Sequence, residues 1–146
     1  MAVTVLLDVN VLVALAWPSH VHYSAARAWF SRQSQDGWAT CLLTEAGFIR
    51  ISCNPAVFER RVSPEKAIEF LAELKRVGRH SFWPLDRSVH AMPVDLVARI
   101  QGFRQVTDAL LVAAALQQGG KVATFDAGLA SLVTNSDQKV VSVIPV

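Results

Sequence analysis

Short apolar runs rich in β-branched residues recur along this chain, and each is followed by a longer stretch with helical spacing. No other feature constrains the fold as much. Strands alternating with helices can bury both elements only as a mainly parallel sheet with crossover helices, an α/β architecture. Val3–Leu7 is apolar at four of its five positions, which predicts a central strand covered on both faces. Further strands are predicted at Trp38–Cys41, Ser81–Leu85, Lys121–Phe125 and Lys139–Ile144. Helices are expected at Val11–Ala16 with Asn10 as cap, at Tyr23–Ser34, from a Thr44 cap through Phe48, Ile49 and Ser52, and at Pro64–Val77, Pro93–Ile100 and Thr107–Gln118. The Pro64 helix has the clearest signals: Ser63 to cap it, Pro64 at its first position, Gly78 to end it, and Ile68, Leu71 and Leu74 as its buried stripe. Its row of Glu65, Glu69 and Glu73, with Lys66, Lys75 and Arg76 nearby, reads as a solvated face. Neither linker nor repeat divides residues 1–146, so a single domain is expected.

Composition narrows the class. Hydrophobic residues make up 52% of the 146 and charged residues only 18%, which excludes a disordered chain. The longest apolar runs, Val11–Trp17 and Ala109–Leu116, fall well short of the roughly 18–20 residues a membrane helix needs. The chain start lacks a basic segment, and Asp8 interrupts its apolar run, so no signal peptide is read and a cytoplasmic protein is expected. Cys41 and Cys53 form no CxxC pair and read as two small hydrophobes in a reducing compartment. The four tryptophans, Trp17, Trp29, Trp38 and Trp83, are expected in the core.

With only 12 acidic residues in the chain, those set in apolar sequence stand out. Asp8 ends the first strand, Asp126 follows Val122-Ala-Thr-Phe125, and Asp108 opens the apolar helix after Thr107. In open parallel sheets, sites form outside the carboxyl ends of the strands. Asp108 has a simpler reading as a helix-terminal anion, and so does Glu45 in the first turn after Thr44. If the four carboxylates converge, their mutual repulsion and desolvation demand a cation. All-oxygen ligands select Mg²⁺ or Mn²⁺ over zinc. A carboxylate-held ion of that kind suits phosphodiester hydrolysis.

The segments Leu6-Leu-Asp-Val-Asn-Val-Leu-Val-Ala-Leu15, Thr44-Glu-Ala-Gly-Phe-Ile-Arg50, Gln105-Val-Thr-Asp-Ala-Leu-Leu-Val-Ala-Ala-Ala115 and Gly120-Lys-Val-Ala-Thr-Phe-Asp-Ala-Gly-Leu129 resemble, in order, the four motifs of PIN-domain ribonucleases, specifically the VapC toxins of type II toxin–antitoxin pairs. The resemblance spans nearly the whole chain. It implies a three-layer α/β/α PIN-like fold with a central, mainly parallel sheet, and a metal-dependent endoribonuclease inhibited by a VapB-like antitoxin. It places the catalytic and metal-binding site at Asp8, Glu45, Asp108 and Asp126, with Mg²⁺ or Mn²⁺ as cofactor. Asp8 and Asp108 are then the primary ligands, Asp126 completes the acidic rim, and Glu45 ligates through water or orients the attacking water. Asn10 and Thr124 match polar positions near that site and are expected to hold a carboxylate or a ligand from behind. A homodimer and a toxin–antitoxin hetero-oligomer are the assemblies implied. The RNA class stays open among tRNA, rRNA and mRNA.

An acidic pocket needs basic groups around it to hold RNA. Arg50, five residues after Glu45, and Arg104, four before Asp108, are the first candidates. His20, His22, His80 and His90 have no nucleophile at recognisable spacing and read as loop or cap residues. A haloacid-dehalogenase-like phosphatase would need an acid where Asn10 stands, and no GxxxxGK[ST] or GxGxxG loop is present. A non-catalytic RNA- or partner-binding module of the same fold is the alternative from a different class. The formal charge of +2 hides an asymmetry: apart from the four acids, 14 basic residues face 8 acidic ones, a balance of +6.

Overall fold

The computed structural model describes residues 2–146. Five short strands, β1 (Val5–Leu7), β2 (Trp38–Thr40), β3 (His80–Phe82), β4 (Lys121–Thr124) and β5 (Val141–Val143), form one all-parallel sheet in the order β3-β2-β1-β4-β5. Leu6 of β1 is in register with Ala39 of β2 on one side and Val122 of β4 on the other. The chain winds outward from β1 through β2 to β3, then crosses to β4 and β5 on the opposite side. The order therefore reverses at β1, and a crevice opens outside the carboxyl ends of β1 and β4.

The side chains of β1 alternate between two cores, as a strand covered on both faces requires. Val5 and Leu7 pack with α1 (Val9–Ala16), α2 (Tyr23–Asp36), α3 (Leu42–Ser52) and α4 (Pro64–Leu74), around Leu12, Leu15, Phe30, Trp38 and Phe48. Leu6 faces the other way, onto Leu111 and Ala115 of α6 (Val106–Gln118) and onto Trp83 and Leu129. The result is the three-layer α/β/α arrangement. A short helix, α5 (Val94–Ala98), covers one end of α6 through Leu96. Trp38 and Trp83 are buried as expected, while Trp17 and Trp29 are partly buried against the first core. Cys41 is buried, Cys53 partly so, and both are free thiols. No helix among the described residues is long and apolar enough to cross a membrane.

Several sequence expectations shift in register, each for a local reason. Helix α1 starts at Val9, and Asp8, not Asn10, caps it: its Oδ1 accepts the Val9 N–H at 2.7 Å. Helix α3 starts at Leu42 after Cys41, so Thr44 is its third residue; the Thr44 hydroxyl reaches back to accept the Cys41 N–H at 3.0 Å. Ser63 caps α4 as expected, accepting the Lys66 N–H, but the helix ends at Leu74 and Lys75 closes it. Its buried stripe is Ala67, Leu71 and Leu74, at i, i+4 and i+7; Ile68, one position round the helix, is 56% exposed. Edge strand β3 is shorter than predicted and ends before Pro84, which has no N–H to offer a ladder. Lys139 lies in a 3₁₀ turn, Asn135–Val140, that precedes β5.

Candidate active site

The carboxyl ends of β1 and β4 meet at a fully buried hydroxyl. Thr124, the last residue of β4, donates from Oγ1 to Asp8 Oδ2 at 2.8 Å. The same oxygen accepts from Asn10 Nδ2 at 3.2 Å and from the Asp126 backbone N–H at 3.0 Å. Asn10 also uses its Oδ1 to accept the Phe125 N–H at 3.2 Å, tying the first turn of α1 to the chain leaving β4. Thr124 thus bonds Asp8 directly, and Asn10 bonds Thr124 and the Phe125 backbone in place of the capping role the sequence suggested.

Asp8 is only 8% exposed. Burial pushes its proton affinity up, the hydrogen bonds from Thr124 and the Val9 backbone counter that, and the charge of Asp126 raises it again. Asp126 is exposed and caps a 3₁₀ turn, Ala127–Leu132, accepting the Gly128 N–H at 2.8 Å.

Asp108 lies in the first turn of α6 and accepts no hydrogen bond among the described residues. A helix N-terminus by itself favours the charged form of an acid. Asp108 behaves oppositely: desolvation, then the charges of Asp8 and Asp126, push its pKa from 3.8 up to about 6. It is therefore no simple helix cap. Three aspartates, after β1, in the first turn of α6 and after β4, feel one another across the crevice, and Asp108 is the one held by no hydrogen bond among the described residues.

Glu45 is placed differently. Its Oε2 lies 2.6 Å from Lys75 Nζ and accepts the Thr40 hydroxyl at 2.6 Å. Thr40 in turn touches His80 Nε2 at 2.8 Å. Neither Asp8 nor Asp108 draws a charge effect from Glu45. The structure so brings Asp8, Asp108 and Asp126 into one electrostatic cluster and ties Glu45 to a neighbouring polar network. No group of three His, Cys, Asp or Glu side chains among the described residues stands ready-made to hold a metal. The donor set still fits a hard cation: hydroxyl-supported, partly buried carboxylate oxygens that repel one another, with no thiolate or imidazole among them.

Arg50, in the last turn of α3, and Arg104, in the 3₁₀ turn Phe103–Gln105 ahead of α6, are both exposed. Sequence reasoning passed over Thr40, placed Lys75 in a solvated charge row and read His80 as a loop or cap residue, whereas His80 lies in strand β3, paired with Trp38. The usable signal was that Thr40 is the last residue of β2, at the same end of the sheet as Asp8. His22, read as a loop or cap residue, stands at the N-cap position of α2, and its ring packs 4.8 Å from that of Phe125.

The chain is similar to known proteins over most of its length. The PIN domain family model matches residues 5–133, a span that contains all four acids. The chain is 46% identical over 127 residues to Ribonuclease VapC39 of Mycobacterium tuberculosis, covering 87% of this chain and 91% of that protein. It is 47% identical over 127 residues to Ribonuclease VapC38 of the same organism, covering 87% and 88%. To Ribonuclease VapC44 it is 39% identical over 125 residues, covering 86% and 87%.

Proposed function

The chain belongs to the PIN-domain family, among the VapC ribonucleases, and from that premise we propose that it is the toxin of a VapBC-type pair: an Mg²⁺- or Mn²⁺-dependent endoribonuclease acting through Asp8, Asp108, Asp126 and Glu45. The observation that carries this reading is the perturbed, unpartnered Asp108 facing Asp8 and Asp126. Carboxylates held together at such a cost in protonation equilibrium are what a cation site requires before its cation arrives.

Asp8, Asp108 and Asp126 would hold the ion, with Glu45 beside them. When bound, a hard divalent ion supplies Lewis-acid activation of water and neutralises charge on the scissile phosphate. The chain's own residues do the rest. Thr124 keeps one Asp8 oxygen fixed by its hydroxyl, and the Val9 N–H fixes the other. Asn10 locks the β4 exit, so Asp126 keeps its place relative to Asp8. Glu45 orients the attacking water. Arg50 and Arg104, exposed on the elements that carry Glu45 and precede Asp108, bind RNA phosphates.

The proposed partners are an RNA and a VapB-like antitoxin, which inhibits cleavage, together with a second copy of the chain; the proposed compartment is the cytoplasm. Large apolar side chains left in solvent, Val94 at 82% and Phe103 at 83% exposure, support an assembly that covers them.

The test is RNA cleavage by the wild type and by Asp8→Asn, each with Mg²⁺ or Mn²⁺ and with EDTA. Cleavage by the wild type with metal, lost in the variant and in chelator, is expected. Undiminished cleavage by Asp8→Asn, or in EDTA, overturns the reading; metal binding without cleavage would favour the non-catalytic module.

A further inference from the structure

We propose that Lys75 is a positioning residue for Glu45, and that with Thr40 and His80 it fixes one oxygen of that carboxylate so that the other is presented to the site. The inference rests on the nuclease reading above and deepens it. Glu45 Oε2 has two partners at 2.6 Å, the Lys75 ammonium and the Thr40 hydroxyl. A hydroxyl has one proton, and Thr40 gives its own to Glu45. Its contact with His80 Nε2 at 2.8 Å therefore needs the ring to donate, which assigns the Nε2–H tautomer. Burial and the nearby Lys75 lower the proton affinity of His80, in keeping with a neutral ring. The polar chain runs from His80 through Thr40 to Glu45, and Lys75 closes it from the far side.

Four elements contribute one residue each: β3, β2, α3 and the end of α4. This differs from the loose surface pairs that contribute little. The Lys75 and Glu45 side chains are 29% and 19% exposed, Thr40 is fully buried, and the Lys75 ammonium also lies 5.7 Å from the centre of the Phe82 ring. By contrast, the other ion pair of α4, Arg76 with Glu73, spans 3.9 Å between side chains 79% and 66% exposed. Both the hydrogen bond and the ion pair of the Glu45 carboxylate fall on Oε2; Oε1 takes no hydrogen bond among the described residues. Anchoring one oxygen removes the rotamer freedom a glutamate otherwise keeps. The ammonium also offsets the charge of the carboxylate that it holds.

The experiment uses the full chain with Lys75→Met, Lys75→Arg and Thr40→Val. It reads Mn²⁺ affinity by calorimetry without RNA, kcat and KM for a cleaved RNA, and thermal unfolding to verify folding. Lys75→Met is expected to lower Mn²⁺ affinity or kcat by about 10- to 100-fold, the usual loss when a supporting partner of a metal ligand is removed, with KM unchanged. Lys75→Arg is expected to restore most of it. Thr40→Val, which frees the same oxygen from the other side, is expected to act in the same direction, so the inference stays testable if Lys75→Met does not fold. Wild-type kcat and Mn²⁺ affinity in folded Lys75→Met, a loss confined to KM, or tighter Mn²⁺ binding each overturns the inference while the nuclease reading stands. A wild type that neither binds Mn²⁺ nor cleaves RNA overturns both.

Discussion

Asp108 carries the largest consequence for a single side chain. Its folded-state pKa, about 6, lies above the unfolded 3.8, so between those values the native state binds more protons than the unfolded one. Stability then falls as pH rises through that window and stays lower above it. The full shift corresponds to about 3 kcal/mol, but the group is partly open to solvent, and screening reduces the expected effect to about 1–2 kcal/mol. Asp108→Asn is therefore expected to stabilise the metal-free protein by about that amount at pH 7, to be near neutral below pH ~3.5, and to abolish cleavage. Urea unfolding in EDTA at the two pH values checks this; equal stabilities at pH 7 would show that Asp108 has an ordinary environment. Thr124→Val acts in the opposite sense. It keeps the shape but leaves a buried Asp8 oxygen without its donor, and is expected to cost about 1–3 kcal/mol in the same assay.

Elements were legible in the sequence where one local rule decides them, and less so where distant residues do. Ser63-Pro64 marked the start of α4, and the apolar run before Asp8 marked β1, because capping and two-sided burial depend on neighbours in the chain. Asp8, Asp108 and Asp126 were legible as site candidates for the same reason: strand ends and one helix start suffice to find a switch-point crevice. The cap of α1 was misread because Asp8 and Asn10 are both good capping residues, and only the pull of Thr124 and Phe125 on Asn10 separates them. The Lys75–Glu45 pair was invisible: 30 positions separate the two, and they meet only because α3 packs on α4 and the chain turns at once into β3. That turn has its own requirement. Gly78 sits at φ +62°, and a Cβ there would lie 2.3 Å from the Ser34 carbonyl oxygen. Gly78→Ala is expected to destabilise the fold by about 1–3 kcal/mol and to weaken cleavage through Lys75 and His80, a coupling that parallel unfolding and kinetic assays would detect.

Across the whole molecule, scarce charge is divided unevenly. Three aspartates interact near the carboxyl ends of β1 and β4 while Glu45 is held by Thr40 and Lys75, and apart from these four acids the remaining 14 basic and 8 acidic side chains balance at +6. RNA binding should therefore weaken steeply with salt. Arg50→Ala and Arg104→Ala are each expected to flatten the log–log salt dependence by about 0.7, one single-strand phosphate contact, with kcat little changed. An unchanged slope would remove that arginine from the RNA path. The central claim, that the aspartates of β1, α6 and the β4 exit form a cation site serving RNA hydrolysis, is most directly tested by crystals of the wild type grown with Mn²⁺ and measured for anomalous scattering. The account predicts an Mn²⁺ peak touching Asp8 together with Asp108 or Asp126. A peak elsewhere, or none at Mn²⁺ concentrations that support cleavage, would contradict it.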